Sequence, residues 1–167
     1  MVATALINMY AKCGRIDDAF RVFKVMPRRN IVTWNTMLSG LAMQGKGDMV
    51  LHLFAQMFRE VKPDDVTFAS LLSACSHSGL VVQGRHLFYS LESSYGIKLS
   101  AENYSCIVDL LGRAGHLEEA ESRIRRMLIA PHEVVLGSLL GSCSVHKNLE
   151  LGECLMKERK TRDLAIK

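Results

Sequence analysis

Glycine recurs in this chain at positions 14, 45, 79 and 115, at intervals of 31, 34 and 36 residues, and Lys147 holds the next place in the series, 32 residues on. A common pattern surrounds each position. Upstream lie Ala3, Trp34, Phe68, Tyr104 and Leu136, followed by the apolar pairs Leu6-Ile7, Met37-Leu38, Leu71-Leu72, Ile107-Val108 and Leu139-Leu140. This spacing puts them on one face of a helix. Downstream, a small residue (Ala19, Val50, Gly84, Ala120, Gly152) is followed four places later by a large one (Phe23, Phe54, Phe88, Ile124, Met156), and Met26, Met57, Leu91 and Met127 come three further on. The i, i+4, i+7 spacing predicts a second amphipathic helix. Each unit therefore reads as helix, turn, helix, because glycine reaches the left-handed conformation that ends one helix and lets the chain double back. One such hairpin cannot bury its apolar face alone. The pattern predicts an all-α fold, a right-handed α-solenoid of about five stacked hairpins with no separate globular domain.

Composition agrees with this and excludes other classes. With 49% apolar and 23% charged residues the chain can bury a core, and three prolines and 7% aromatics favour helices over short, turn-rich strands. A net charge of +4 and a pI near 8.9 permit a polyanionic partner without establishing one. The five cysteines, Cys13, Cys75, Cys106, Cys143 and Cys154, include no C-x-x-C pair and fall within apolar-periodic segments, so buried free thiols are expected. No apolar run approaches the ~20 residues of a membrane span. The start, Met-Val-Ala-Thr-Ala-Leu-Ile, reads as a helix entered part-way, so the chain is expected to be a piece of a longer array.

Two segments imitate chemical motifs. Residues 40–46 fit G-x-x-x-x-G-K, but Gly47 stands where a phosphate-binding loop needs Ser or Thr, and the segment falls at a helix end where such a loop would follow a strand. His116-Leu117-Glu118 imitates the H-x-E of zinc deaminases without the P-C-x-x-C that should follow, so Glu118 and Glu119 read as first-turn acids that favour the helix dipole. The six histidines show no i, i+4 pair with a third ligand in register. No catalytic residue, metal site or cofactor is expected. Arg113, Arg123, Arg125 and Arg126, with Lys157, Arg159, Lys160 and Arg162, form basic clusters that read as a solvated outer face.

The second unit, Ile31 to Asp64 (IVTWNTMLSGLAMQGKGDMVLHLFAQMFREVKPD), resembles a pentatricopeptide repeat. Residues 1–30, with TALINMYAKCGRIDDAFRVFKVMPRRN, resemble a short S-type repeat; residues 65–100, beginning DVTFASLLSACSHSGL, resemble an L-type; residues 101–132, with ENYSCIVDLLGRAGHLEEAE, resemble another S-type. Residues 133–167, with VVLGSLLGSCSVHKNLELGE, resemble the E extension. The order S, P, L, S, E resembles the C-terminal part of plant organellar PLS-class proteins. A tetratricopeptide-like scaffold that binds peptides is the alternative; the missing W-x-x-L-G-x-x-Y pattern and the uneven unit lengths argue against it.

The resemblance implies single-stranded RNA as partner, one base per repeat, chosen by the fifth residue of the first helix together with the last residue of the repeat. Those positions are Thr4 and Asn30, a pair that the family rule matches with adenine, and Asn35 and Asp64, matched with uracil and less well with cytosine. They are Ala69 and Ser100 in the third repeat and Ser105 and His132 in the fourth. Val32 and Val66 occupy the second place, which packs against the bases. Asn30 and Asp64 also directly precede a new helix, where they would serve as N-caps. The resemblance further implies a non-catalytic specificity factor for cytidine-to-uridine editing in a mitochondrion or chloroplast. Its deaminase would be recruited in trans, and multiple organellar RNA editing factors would bind the L-type repeat.

Overall fold

The computed structural model describes residues 2–127 and 133–165, with side chains to residue 158. Among them every regular element is an α-helix: α1 (Val2–Lys12), α2 (Ile16–Val25), α3 (Ile31–Met43), α4 (Gly47–Met57), α5 (Asp65–Ser78), α6 (Val81–Ser93), α7 (Ala101–Arg113), α8 (Leu117–Arg125), α9 (Glu133–Val145) and α10 (Leu149–Ala165). None is long and apolar enough to cross a membrane. The helices fall into two compact units, Met1–Leu99 and Ser100–Lys167.

All five turns close in the same way. Gly14, Gly45, Gly79 and Gly115 have φ of +76°, +65°, +67° and +81°, and Lys147 adopts the same left-handed conformation at +56°. The next residue in each case, Arg15, Lys46, Leu80, His116 or Asn148, donates its N–H to the carbonyl five residues back, at 2.9, 3.1, 2.9, 2.9 and 2.9 Å. This bond satisfies a carbonyl that the helix end leaves free. The G-x-x-x-x-G-K segment is accordingly the last turn of α3 and the turn after it.

In the first unit α1–α2, α3–α4 and α5–α6 are hairpins, and α3 lies between α1 and α5. The aromatic residue at one register position fills the cleft between hairpins. Trp34 on α3, fully buried, meets Phe23 of α2 edge-on with centroids 4.9 Å apart. Phe68 on α5 meets Phe54 of α4 at 5.7 Å. Gly40 admits α1 so closely that an added Cβ would lie 2.7 Å from that of Ala11. The first helices of successive hairpins therefore run side by side with their first turns in reach of one another.

In the second unit α7 packs on α8 and α9, and α9 on α8 and α10, over a core that includes Ile107, Val108, Leu111 and Leu139. Here the expected register slips once. Met156 is 52% exposed, and its neighbour Leu155 is the buried residue, because Leu151 and Leu155 carry the apolar face of α10 and Met156 lies a further 100° round the helix. Of the cysteines, Cys75 and Cys143 are buried, and burial raises both thiol pKa values, that of Cys75 to about 11. Cys13 and Cys154 are exposed, which corrects the expectation of uniformly buried thiols: Cys13 falls in the turn after α1, and Cys154 is on α10 beside the buried Leu155 but off its apolar face.

Candidate nucleic-acid interface

The residue before α3 and the residue before α5 are extended, with φ of −91° at Asn30 and −123° at Asp64. Each side chain turns back to cap its helix. Asn30 Oδ1 accepts from the Thr33 N–H at 2.9 Å, and Asp64 Oδ1 accepts from the Thr67 N–H at 2.9 Å. The Thr67 hydroxyl completes a capping box by accepting from the Asp64 N–H at 3.1 Å.

Because the first helices of successive hairpins lie side by side, these caps also reach the preceding hairpin. Asn35 Nδ2 donates to Asp64 Oδ1 at 2.9 Å, and Asn35 Oδ1 accepts from Thr67 Oγ1 at 2.7 Å. One hairpin earlier, Thr4 Oγ1 lies 3.0 Å from Thr33 Oγ1, which donates to Asn30 Oδ1 at 2.9 Å. The two pairs named from sequence are thus joined, each through a threonine. Burial alone would raise the Asp64 pKa, but hydrogen bonds, led by those from the Thr67 N–H and the Asn35 amide, outweigh it and hold the carboxyl below its ordinary 3.8. All of those bonds fall on Oδ1; among the described residues none falls on Oδ2.

Two open grooves run over these groups. One, of about 420 Å³, is lined by Thr4, Ala5, Asn8, Asn30, Val32 and Thr36. The other, of about 410 Å³, is lined among others by Lys12, Val32, Asn35, Ser39, Asp64 and Val66. Val32 borders both, so it stands between the two polar pairs, and Val66 closes the far side of the second. At 58% and 56% exposed, these valines offer apolar surface that the protein itself does not cover.

The remaining sequence candidates are placed differently. Ala69 is buried on α5 and lines neither groove. Ser100 caps α7, with Oγ accepting from the Asn103 N–H at 3.2 Å and donating to Asn103 Oδ1 at 2.9 Å. Ser105 is half-buried on α7, and His132 lies outside the described residues. Thr33, Thr67 and Lys12 were not singled out in the sequence. The signal was there, since threonine recurs at the third place of two consecutive units. Three arginines of the basic clusters are engaged on their own helices: Arg113 with Asp109 at 2.9 Å, Arg123 with Glu119 at 3.4 Å, Arg125 with Glu121 at 2.6 Å.

Stacked helix-turn-helix units of one repeating register, with a polar groove along the first turns of their first helices, define a helical-repeat protein of the solenoid class. The chain matches the PPR repeat family over residues 29–77 and the PPR repeat over residues 2–31, 66–95 and 102–129. It belongs to the pentatricopeptide repeat family. Among its relatives, the Arabidopsis thaliana pentatricopeptide repeat-containing protein At5g15340, mitochondrial, is 59% identical over 95% of this chain and 25% of its own length. A second Arabidopsis thaliana relative, the pentatricopeptide repeat-containing protein At5g08510, is 51% identical over 91% of this chain and 30% of its own. The chain therefore spans between about a quarter and a third of the length of these relatives. Two solved structures share the fold. PPR10, a maize protein, in complex with an 18-nt psaJ RNA element has a TM-score of 0.86 at 22% identity, over 98% of this chain and 25% of that one. The PPR domain of Arabidopsis thaliana protein-only RNase P 1 in complex with tRNA has a TM-score of 0.73 at 18% identity, over 96% and 88%.

Proposed function

We propose that this chain is a non-catalytic, sequence-selective binder of single-stranded RNA that takes one base per repeat in the grooves of its first unit. One observation carries the reading: the exposed valines Val32 and Val66 flank the hydrogen-bonded pair Asn35 and Asp64. A base inserted between two apolar side chains would cover their exposed surface and bring its Watson-Crick edge to the polar pair behind, and only an unpaired strand leaves that edge available. Lys12 in the same groove gives the phosphate backbone a cation. The RNA complexes of PPR10 and of the protein-only RNase P domain, which share the fold, support the same partner.

The finer assignment follows the S, P, L, S, E order of the units. It makes the chain part of a PLS-class specificity factor for cytidine-to-uridine editing. The deaminase is supplied in trans, and multiple organellar RNA editing factors contact the L-type repeat at residues 65–100. The mitochondrial designation of At5g15340 supports an organellar setting. A gel-shift series with poly(A), poly(U), poly(C) and mixed-sequence RNAs tests the core of the reading. Binding of single strands but not of duplexes, weakened by Val32→Asp, is the expected result. Equal binding of duplex RNA, or no effect of Val32→Asp, would overturn it.

A further inference from the structure

The first unit contains the same three-residue relay twice, with opposite polarity. In the first copy Thr33 Oγ1 lies 2.9 Å from Asn30 Oδ1 and 3.0 Å from Thr4 Oγ1. An amide oxygen only accepts, so the Thr33 proton goes to Asn30 and the Thr4 proton goes to Thr33. The direction is fixed from Thr4 through Thr33 to Asn30. Thr4 keeps its lone pairs, and Asn30, whose Oδ1 is also held by the Thr33 N–H, keeps both N–H bonds of its amide.

In the second copy the last residue is a carboxylate, which also only accepts. Asn35 must therefore turn Nδ2 to Asp64, at 2.9 Å, and its oxygen to Thr67 Oγ1, at 2.7 Å. A flipped amide would set two acceptors against each other and leave the Thr67 proton only the crowded Asp64 Oδ1, 2.9 Å away. This arrangement leaves one N–H of Asn35 and Oδ2 of Asp64 without a bond among the described residues. The last residue is thus a donor in the first copy and an acceptor in the second, while the fifth residue is the reverse. Adenine carries an acceptor at its ring N1 and a donor at N6; uracil carries a donor at N3 and an acceptor at O4. The two polarities match these two edges.

We infer that Thr33 and Thr67 are positioning residues for base selection: the hydroxyl at the third place of each following repeat locks the orientation of the two groups that meet the base. This rests on the RNA-binding reading for its consequence, though not for its geometry. Two readouts on the full chain keep those apart. The first needs no RNA. In Thr67→Val, which keeps the shape and removes the hydroxyl, the Asp64 carboxyl followed by NMR should titrate at higher pH than in the wild type, and the Asn35 side-chain amide signals should shift. Thr67→Ser should restore both. An unchanged Asp64 titration in Thr67→Val overturns the relay, and does so even if no RNA binds.

The second readout compares RNAs that carry U or C opposite the second repeat. Thr67→Val should lower the preference for U by about tenfold, the effect of one misdirected hydrogen bond, and Thr67→Ser should keep it. A purely structural threonine would lower the melting temperature of Thr67→Val and leave the U to C ratio alone. That result overturns the inference. Thr33→Val, tested with A or G opposite the first repeat, examines the other copy, so that a folding failure in one variant does not remove the test. A wild-type chain that binds none of these RNAs sinks the functional reading, and the Asp64 titration then still decides the relay.

Discussion

The two oxygens of Asp64 are differently engaged. Oδ1 caps α5 and holds Asn35, and Oδ2 takes no bond among the described residues. A helix-capping role and a base-contacting role at this position are therefore compatible, and they separate on substitution. Asp64→Asn keeps a cap, since Asn caps about as well as Asp, but it puts an amide donor where the carboxylate accepted. Cytosine, whose N3 accepts, should gain on uracil by roughly 1 to 2 kcal/mol, read as the ratio of affinities for RNAs differing at that base. Equal change for both RNAs would leave Asp64 a cap and nothing more. The same hydrogen bonds give a pH dependence. A carboxyl whose pKa is lowered on folding adds stability above its unfolded value and loses it as pH falls through the folded one. The melting temperature should thus drop as pH falls from about the ordinary value of 3.8 downwards, and Asp64→Ala should show a shallower acid limb. Sequence register located Asn35 and Asp64 but not the threonine that joins them. A threonine in the first turn of a helix reads as local capping, and its other partner lies 32 residues away in the preceding unit.

At the scale of the element, what sequence made legible was the hairpin, because the turn demands one backbone conformation and glycine supplies it at low cost. Lys147 proves the demand by meeting it without being glycine, at φ +56° with the same closing bond, Asn148 N–H to Cys143 O at 2.9 Å. A side chain in the left-handed region is strained by about 1 kcal/mol. Lys147→Gly should therefore stabilise the second unit by about 1 kcal/mol, raising its melting temperature by a few degrees. A lowered melting temperature would mean that the lysine side chain contributes more than its backbone loses. What stayed hidden at this scale was decided by neighbours. Met156 and Leu155 are both apolar and adjacent, and only the packing of α10 on α9 chooses Leu155 for the core. Ala69 holds the register position of Asn35, yet it is too short to reach a groove and is buried on α5.

For the molecule as a whole, the question is how strongly an array of this length can hold RNA. Repeat proteins add interactions roughly repeat by repeat, and among the described residues the joined polar pairs bordered by exposed valine are those of the first two repeats. The net charge of +4 is modest, and Arg113, Arg123 and Arg125 are each paired with a carboxylate on their own helix. Lys12 is in the groove. Few phosphates would thus be neutralised by RNA bound in these grooves, and the logarithm of affinity should fall with the logarithm of salt by only about 0.7 for each phosphate contacted, a total slope on the order of −1 to −3. The affinity itself should be micromolar or weaker at physiological salt, in the range of non-specific nucleic-acid binding. Fluorescence anisotropy with a labelled single strand between roughly 50 and 200 mM salt measures both quantities. Lys12→Ala should lower the affinity for every sequence alike and reduce the slope by about one contact, because a phosphate contact carries no base information. Nanomolar binding with a steep slope would instead place most of the binding energy on charged groups other than those of the grooves, and the weak preference between bases expected of two sites would then be masked by charge.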